Sequence, residues 1–114
     1  MFNAYEKSKI NIYLKQLNNK EFYEAHETIE EIWFPMRFNK NNLKVKILKG
    51  LINAAVSFRL IQLDKVKQSK KPFNTFLKYS KFINEKNKYM KFINIFIVKK
   101  YMKEIKIQRN KNVK

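Results

Sequence analysis

Glu21-Phe22-Tyr23-Glu24-Ala25-His26-Glu27-Thr28-Ile29-Glu30-Glu31-Ile32-Trp33 holds the single histidine and the single tryptophan of the chain, with five of its nine acidic residues. Wound at about 100° per residue, it places Phe22, Ala25, Ile29, Ile32 and Trp33 on one broad apolar stripe, the pattern of a core-facing helix. His26 falls near the middle of that stripe. Glu30, one turn later, lies on its shoulder within reach of the imidazole, and Glu27 is further round. The wheel therefore predicts an inward-pointing His26 answered by Glu30, because a buried imidazole must satisfy both ring nitrogens.

Working outward, Asn3 to Leu17 carries Tyr5, Ile10, Tyr13, Leu14 and Leu17 at helical spacing, and Asn18-Asn19 ends it and caps the central stretch. Phe34-Pro35 ends the central helix, because the residue before proline is pushed out of the α region. Arg37 to Asn42 reads as a polar loop. Leu43 to Lys67 is the longest helical candidate, with apolar residues round most of its circumference, so it packs on several sides. Gly50 and Ala54-Ala55 would let a neighbour approach closely. Arg59 shares a face with Leu48, Ile52 and Ala55, and Glu27 or Glu30 is its natural acceptor. Gln68 to Lys71 reads as a basic linker, with Pro72 opening a helix that runs to Asn84. Lys88 to Ile107 is a last, apolar helix with lysines interspersed, and Arg109 to Lys114 a frayed polar tail.

One glycine and two prolines leave too few tight-turn formers for an all-β domain. The fold class is all-α: a single small helical bundle over residues 1–108 around two central antiparallel helices, 20–34 and 43–66, with a tail at 109–114. The absence of cysteine removes disulfides, thiolate nucleophiles and Cys-ligated zinc, as in a reducing interior. No leader and no apolar run long enough to span a bilayer is visible, so a cytoplasmic location is expected.

The formal charge is +17, with 26 basic and nine acidic residues. Lysine far outnumbers arginine, and Lys, Asn, Ile, Phe and Tyr together exceed half the chain, which is how an AT-rich genome biases codons. Phosphate and base recognition recruits arginine forks, so nucleic acid is a possible partner through the Lys-rich C-terminal third but not the favoured one. A homodimer through the C-terminal helix is a further possible partnership.

Asn18 through Trp33 together with Leu48-Lys49-Gly50-Leu51-Ile52-Asn53-Ala54-Ala55 resembles a prokaryotic family, domain of unknown function family number 309, over about residues 17–65. Its pattern runs N-x-G-x-F-F-E-A-H-E-x-L-E-x-x-W and then L-Q-G-L-I-Q-x-A. The resemblance implies a small helical bundle with no established activity to carry over. His26, Glu27, Glu30 and Trp33 match the first block, and Gly50 and Ile52 the second. Many members place a second histidine at the position of Arg59, so any two-imidazole metal site is incomplete here.

The leading reading is a non-catalytic domain whose buried His26, Glu30 and Arg59 cluster, with Glu27 and Trp33 beside it, fixes the two central helices and takes a small anionic ligand. No metal and no cofactor are assigned. Two alternatives stand beside it. One is a metal-dependent or acid/base hydrolase-like enzyme using His26, Glu27 and Glu30, since H-E-x-x-E resembles the zincin H-E-x-x-H. The other is polyanion binding through the C-terminal third.

Overall fold

The computed structural model describes residues 1–82 and 87–111. Its helices are α1 (Ala4–Asn18), α2 (Phe22–Trp33), α3 (Leu43–Gln62), α4 (Val66–Ser80) and α5 (Lys88–Lys111), with one 3₁₀ turn at Phe34–Met36. There is no strand among the described residues, so the all-α class holds. α3 lies at the centre: it packs against α2, α4 and α5, while α1 covers α2. Buried side chains occupy several of its faces, including Ile47, Leu48, Leu51, Ala54, Ala55, Phe58 and Ile61. An apolar circumference of this kind can be hidden only by neighbours on several sides.

Gly50 is what lets α4 come in. A Cβ built there would sit 3.2 Å from the Tyr79 Cβ and 3.7 Å from the Phe76 Cα, so a side chain at this position would hold α4 away. On another side of α3, the buried Tyr13 hydroxyl of α1 donates to the Leu51 carbonyl at 2.8 Å. Burial pushes the Tyr13 phenol well above its ordinary pKa, so it stays a donor.

Helix α1 starts with a reciprocal capping box. The Glu6 N–H donates to Asn3 Oδ1, and the Asn3 N–H donates to Glu6 Oε1, each at 2.8 Å. Glu6 also meets Lys44 Nζ at 3.0 Å, tying the start of α1 to the start of α3. Burial pushes the Glu6 carboxyl up, but the Asn3 N–H and the Lys44 ammonium outweigh it and hold the group below its ordinary 4.5.

Two boundaries differ from the sequence expectation, and both turn on the same motif. α3 stops at Gln62 and does not run to Lys67, because Asp64 adopts a left-handed φ of 63°. There the Lys65 N–H reaches back to the Leu60 carbonyl at 2.8 Å and the Asp64 N–H to the Ile61 carbonyl at 2.9 Å, the paired bonds of a Schellman cap. α1 ends in the same way at Lys20, whose φ is 61°. The Glu21 N–H bonds the Gln16 carbonyl and the Lys20 N–H the Leu17 carbonyl. Asn19 is thus the C-cap of α1, and α2 begins from Glu21 with no side-chain cap. Glycine usually fills this position; with Lys20 and Asp64 in its place, the usual stop signal was missing.

The expected linker at Gln68–Lys71 is helical, and Pro72 lies inside α4 instead of opening it. Val66, Ser69, Phe73 and Phe76 form one inward face that begins before the proline. Ser69 meets the Tyr101 hydroxyl at 2.9 Å, and the Phe73 and Tyr101 rings stack at 3.7 Å, fastening this face to α5. Gln68, whose carbonyl loses its partner to Pro72, is exposed, so water can satisfy it. The expected continuation to Asn84 enters residues outside those described. α5 extends through Lys111, so Arg109 is helical, and the last three residues of the expected tail also lie outside the described part. On α5, Lys100 and Glu104 are buried together at 3.3 Å, while Phe92, Ile95 and Met102 are exposed.

Candidate functional site

α2 and α3 run antiparallel, so the first half of α2 faces the second half of α3. Phe22 and Ala25 are buried here, with the Phe22 and Phe58 rings 5.3 Å apart. Beside this contact, Phe22, Tyr23, His26, Ala55, Val56, Arg59 and Leu60 line a groove of about 240 Å³. Its floor is apolar. His26 comes from α2 and Arg59 from α3, so the antiparallel pairing brings two residues 33 positions apart to one groove.

His26 Nε2 lies 3.1 Å from Glu30 Oε2, the expected i, i+4 pair. Its burial is less complete than expected: the His26 side chain is 26 % exposed and that of Glu30 42 % exposed. The stripe is narrower than the wheel suggested, because Phe22, Ala25 and Ile29 already fill the contact with α3 and leave His26 at its edge. Arg59 is exposed, and its guanidinium donates to Gln62 Oε1 at 2.7 Å. Gln62 in turn donates to the Lys20 carbonyl at 3.2 Å, which fastens the end of α3 to the turn between α1 and α2. Among the described residues Arg59 forms no ion pair with Glu27 or Glu30. The sealed three-membered cluster is therefore replaced by a His26-Glu30 pair and an Arg59-Gln62 pair on opposite lips of one groove.

Glu27 is exposed and belongs to a neighbouring surface with Glu30, Glu31, Phe34 and Pro35. No group of three or more His, Cys, Asp or Glu side chains that could hold a metal ion occurs among the described residues. Glu31 is held instead by Lys9 of α1 at 2.7 Å. Trp33 lies at the opposite end of α2 from His26 and lines a different groove with Arg37, Phe38, Lys40, Val45, Lys46, Lys49 and Tyr79. Sequence reasoning placed Trp33 with His26 and missed this second group. The signal was present in Phe34-Pro35-Met36-Arg37-Phe38, where aromatic residues bracket an arginine, and in the i, i+3 spacing of Lys46 and Lys49.

The fold and its grooves define a small all-helical domain. A family model described as Domain of unknown function (DUF309) matches residues 10–71, and the chain belongs to that family. No characterised protein and no solved structure matches it. The matched segment spans most of α1, all of α2 and α3 and the start of α4, so His26, Arg59 and Gly50 lie within it, while Phe76 and Tyr79, which Gly50 faces on α4, lie beyond it. No described helix is long and apolar enough to cross a membrane.

Proposed function

We propose that this domain is a non-catalytic binding module whose groove between α2 and α3 takes a small amphiphilic anion. The observation that supports it most is the pairing of an apolar floor with a guanidinium whose side-chain partner, Gln62, is neutral. An apolar tail in the groove would displace water from Tyr23, Val56 and Leu60, while a carboxylate exchanges the Arg59-Gln62 hydrogen bond for a charge-assisted one. His26 contributes a ring edge at the other lip, oriented by Glu30. The groove of about 240 Å³ fits a short-chain or single-ring carboxylate and nothing much larger.

The test is a titration with hexanoate followed by amide NMR shifts. Saturable shifts confined to residues 22–26 and 55–60, at about millimolar affinity, are expected for a ligand of this size. Arg59→Met should abolish them and Arg59→Lys retain part. Shifts that survive in Arg59→Met, or that never saturate, would reject the reading.

The 3.1 Å contact of His26 with Glu30 favours a second reading, in which the carboxylate orients the imidazole for acid/base work. A hydrolase of this type would cleave an activated ester at a rate abolished in His26→Ala. Equal rates for the two proteins would remove it.

A further inference from the structure

The second groove, at the far end of the α2–α3 pair, has a different chemistry. It holds about 430 Å³ and is formed by the end of α2, the loop that follows, the first two turns of α3 and the end of α4. Its walls carry four cations, Arg37, Lys40, Lys46 and Lys49, three aromatic side chains, Trp33, Phe38 and Tyr79, and no carboxylate. Among the described residues none of these four cations has an acidic partner, whereas Lys9, Lys44 and Lys100 each do. Four like charges round one groove repel one another, and an anion seated among them relieves that repulsion.

The aromatic groups supply a second, independent feature. Phe34 and Phe38 are 54 % and 78 % exposed, and the Arg37 guanidinium lies 3.5 Å and 4.3 Å from their ring centroids. A guanidinium carried on open aromatic rings is a stacking platform for a planar ligand, with the cation already aligned. Lys46 is likewise 4.7 Å from the Phe82 ring centroid. Trp33 Nε1 is shielded from solvent and has no acceptor among the described residues.

We infer that this groove binds a nucleotide unit, a planar base carrying phosphate, with the base stacked against Phe38 and the Arg37 platform and the phosphate among Lys40, Lys46 and Lys49. The unit can belong to a single strand or be a free mononucleotide, since both present a base face and an anionic phosphate. Duplex nucleic acid fits poorly, because its bases are already stacked on one another. The site differs from the His26-Arg59 groove in place and in ligand class, and its four cations lie outside the C-terminal third where the lysines are densest.

Trp33 is the sole tryptophan, so its fluorescence reports directly on the groove. An eight-nucleotide oligothymidylate, AMP and inorganic phosphate should be titrated separately at about 0.15 M salt. The oligonucleotide or AMP is expected to change the Trp33 emission saturably. Lys46→Gln with Lys49→Gln should weaken binding about tenfold and lower the salt slope by about 1.4, at about 0.7 for each phosphate that a lysine no longer neutralises. Phe38→Ala, at a position too exposed to disturb folding, should weaken it about tenfold with the salt slope unchanged. Lys103→Gln with Lys106→Gln, an equal charge removal on α5, should alter affinity less than twofold.

A strand that binds more tightly than AMP identifies single-stranded nucleic acid as the source, and equal affinity identifies the mononucleotide; both support the inference. It is overturned if neither binds, if inorganic phosphate binds as well as AMP, or if the α5 pair weakens binding as much as the groove pair.

Discussion

The two sides of α3 teach opposite lessons about the same family-matched segment. Gly50 and Arg59 are nine positions apart, about half a turn out of phase, so they look out from opposite sides of the helix. On the Gly50 side the contact is closed: an added Cβ would already press on the Tyr79 Cβ at 3.2 Å and touch the Phe76 backbone at 3.7 Å, so a side chain larger than a methyl would push α4 outward. On the Arg59 side it is half open, with exposed polar groups on both lips of an apolar groove. The difference separates what the sequence blocks do: the glycine block sets how closely helices pack, whereas His26 and Glu30 mark a surface that packing leaves free.

The sharpest way to break this contrast is to fill the closed side. Gly50→Leu should destabilise the fold by about 3 kcal/mol in thermal or urea unfolding, because α4 has to move outward. A change near zero would mean that the α3–α4 contact is not tight.

Next in size is the Glu6 cap that joins α1 to α3. Because its folded-state pKa is depressed, the stability it contributes is present above its ordinary value of 4.5 and is lost as the pH falls through the lower folded value. Glu6→Gln should therefore cost about 1 kcal/mol at neutral pH and flatten the acid limb of the stability profile. Parallel acid limbs for the two proteins would contradict this.

The left-handed cap at Lys20 offers a change of opposite sign. Lys20→Gly should stabilise by about 0.5–1 kcal/mol, since glycine adopts φ near 61° without strain. Denaturant midpoints would show it directly.

The smallest effect belongs to the open side. Glu30→Gln should change stability by about 0.3 kcal/mol, as for an ordinary half-exposed i, i+4 pair. A cost several times larger would mean that His26 and Glu30 serve the core after all.

Much of the architecture was legible in the chain. Glycine poverty excluded an all-β fold, and the apolar circumference of 43–62 marked the central helix. α2 does stop ahead of Pro35, but Phe34 is not pushed out of the α region: it keeps helical dihedrals (φ −57°, ψ −45°), and the chain tightens into the 3₁₀ turn Phe34–Met36. The missed boundaries share a cause: Lys20 and Asp64 take left-handed conformations closed by the backbone hydrogen bonds of the two caps, at positions where the usual glycine signal is absent. Pro72 misled in the opposite sense, because the inward face of α4 starts at Val66 and outweighs one missing hydrogen bond. For the site, i, i+4 spacing correctly joined His26 to Glu30, since both lie on one helix. Arg59 was placed on the right side of α3, but its closest acceptor proved to be Gln62 on its own helix. A helical wheel gives directions and not which of two acceptors lies nearer.

The central claim is that His26 stands at the lip of an open groove, and the reactivity of this single histidine tests it most directly. Carbethoxylation followed at the N-carbethoxyhistidine absorbance should proceed rapidly in the folded protein and slow severalfold when hexanoate is present. A histidine that reacts only after unfolding, or at a rate hexanoate leaves unchanged, would contradict the account.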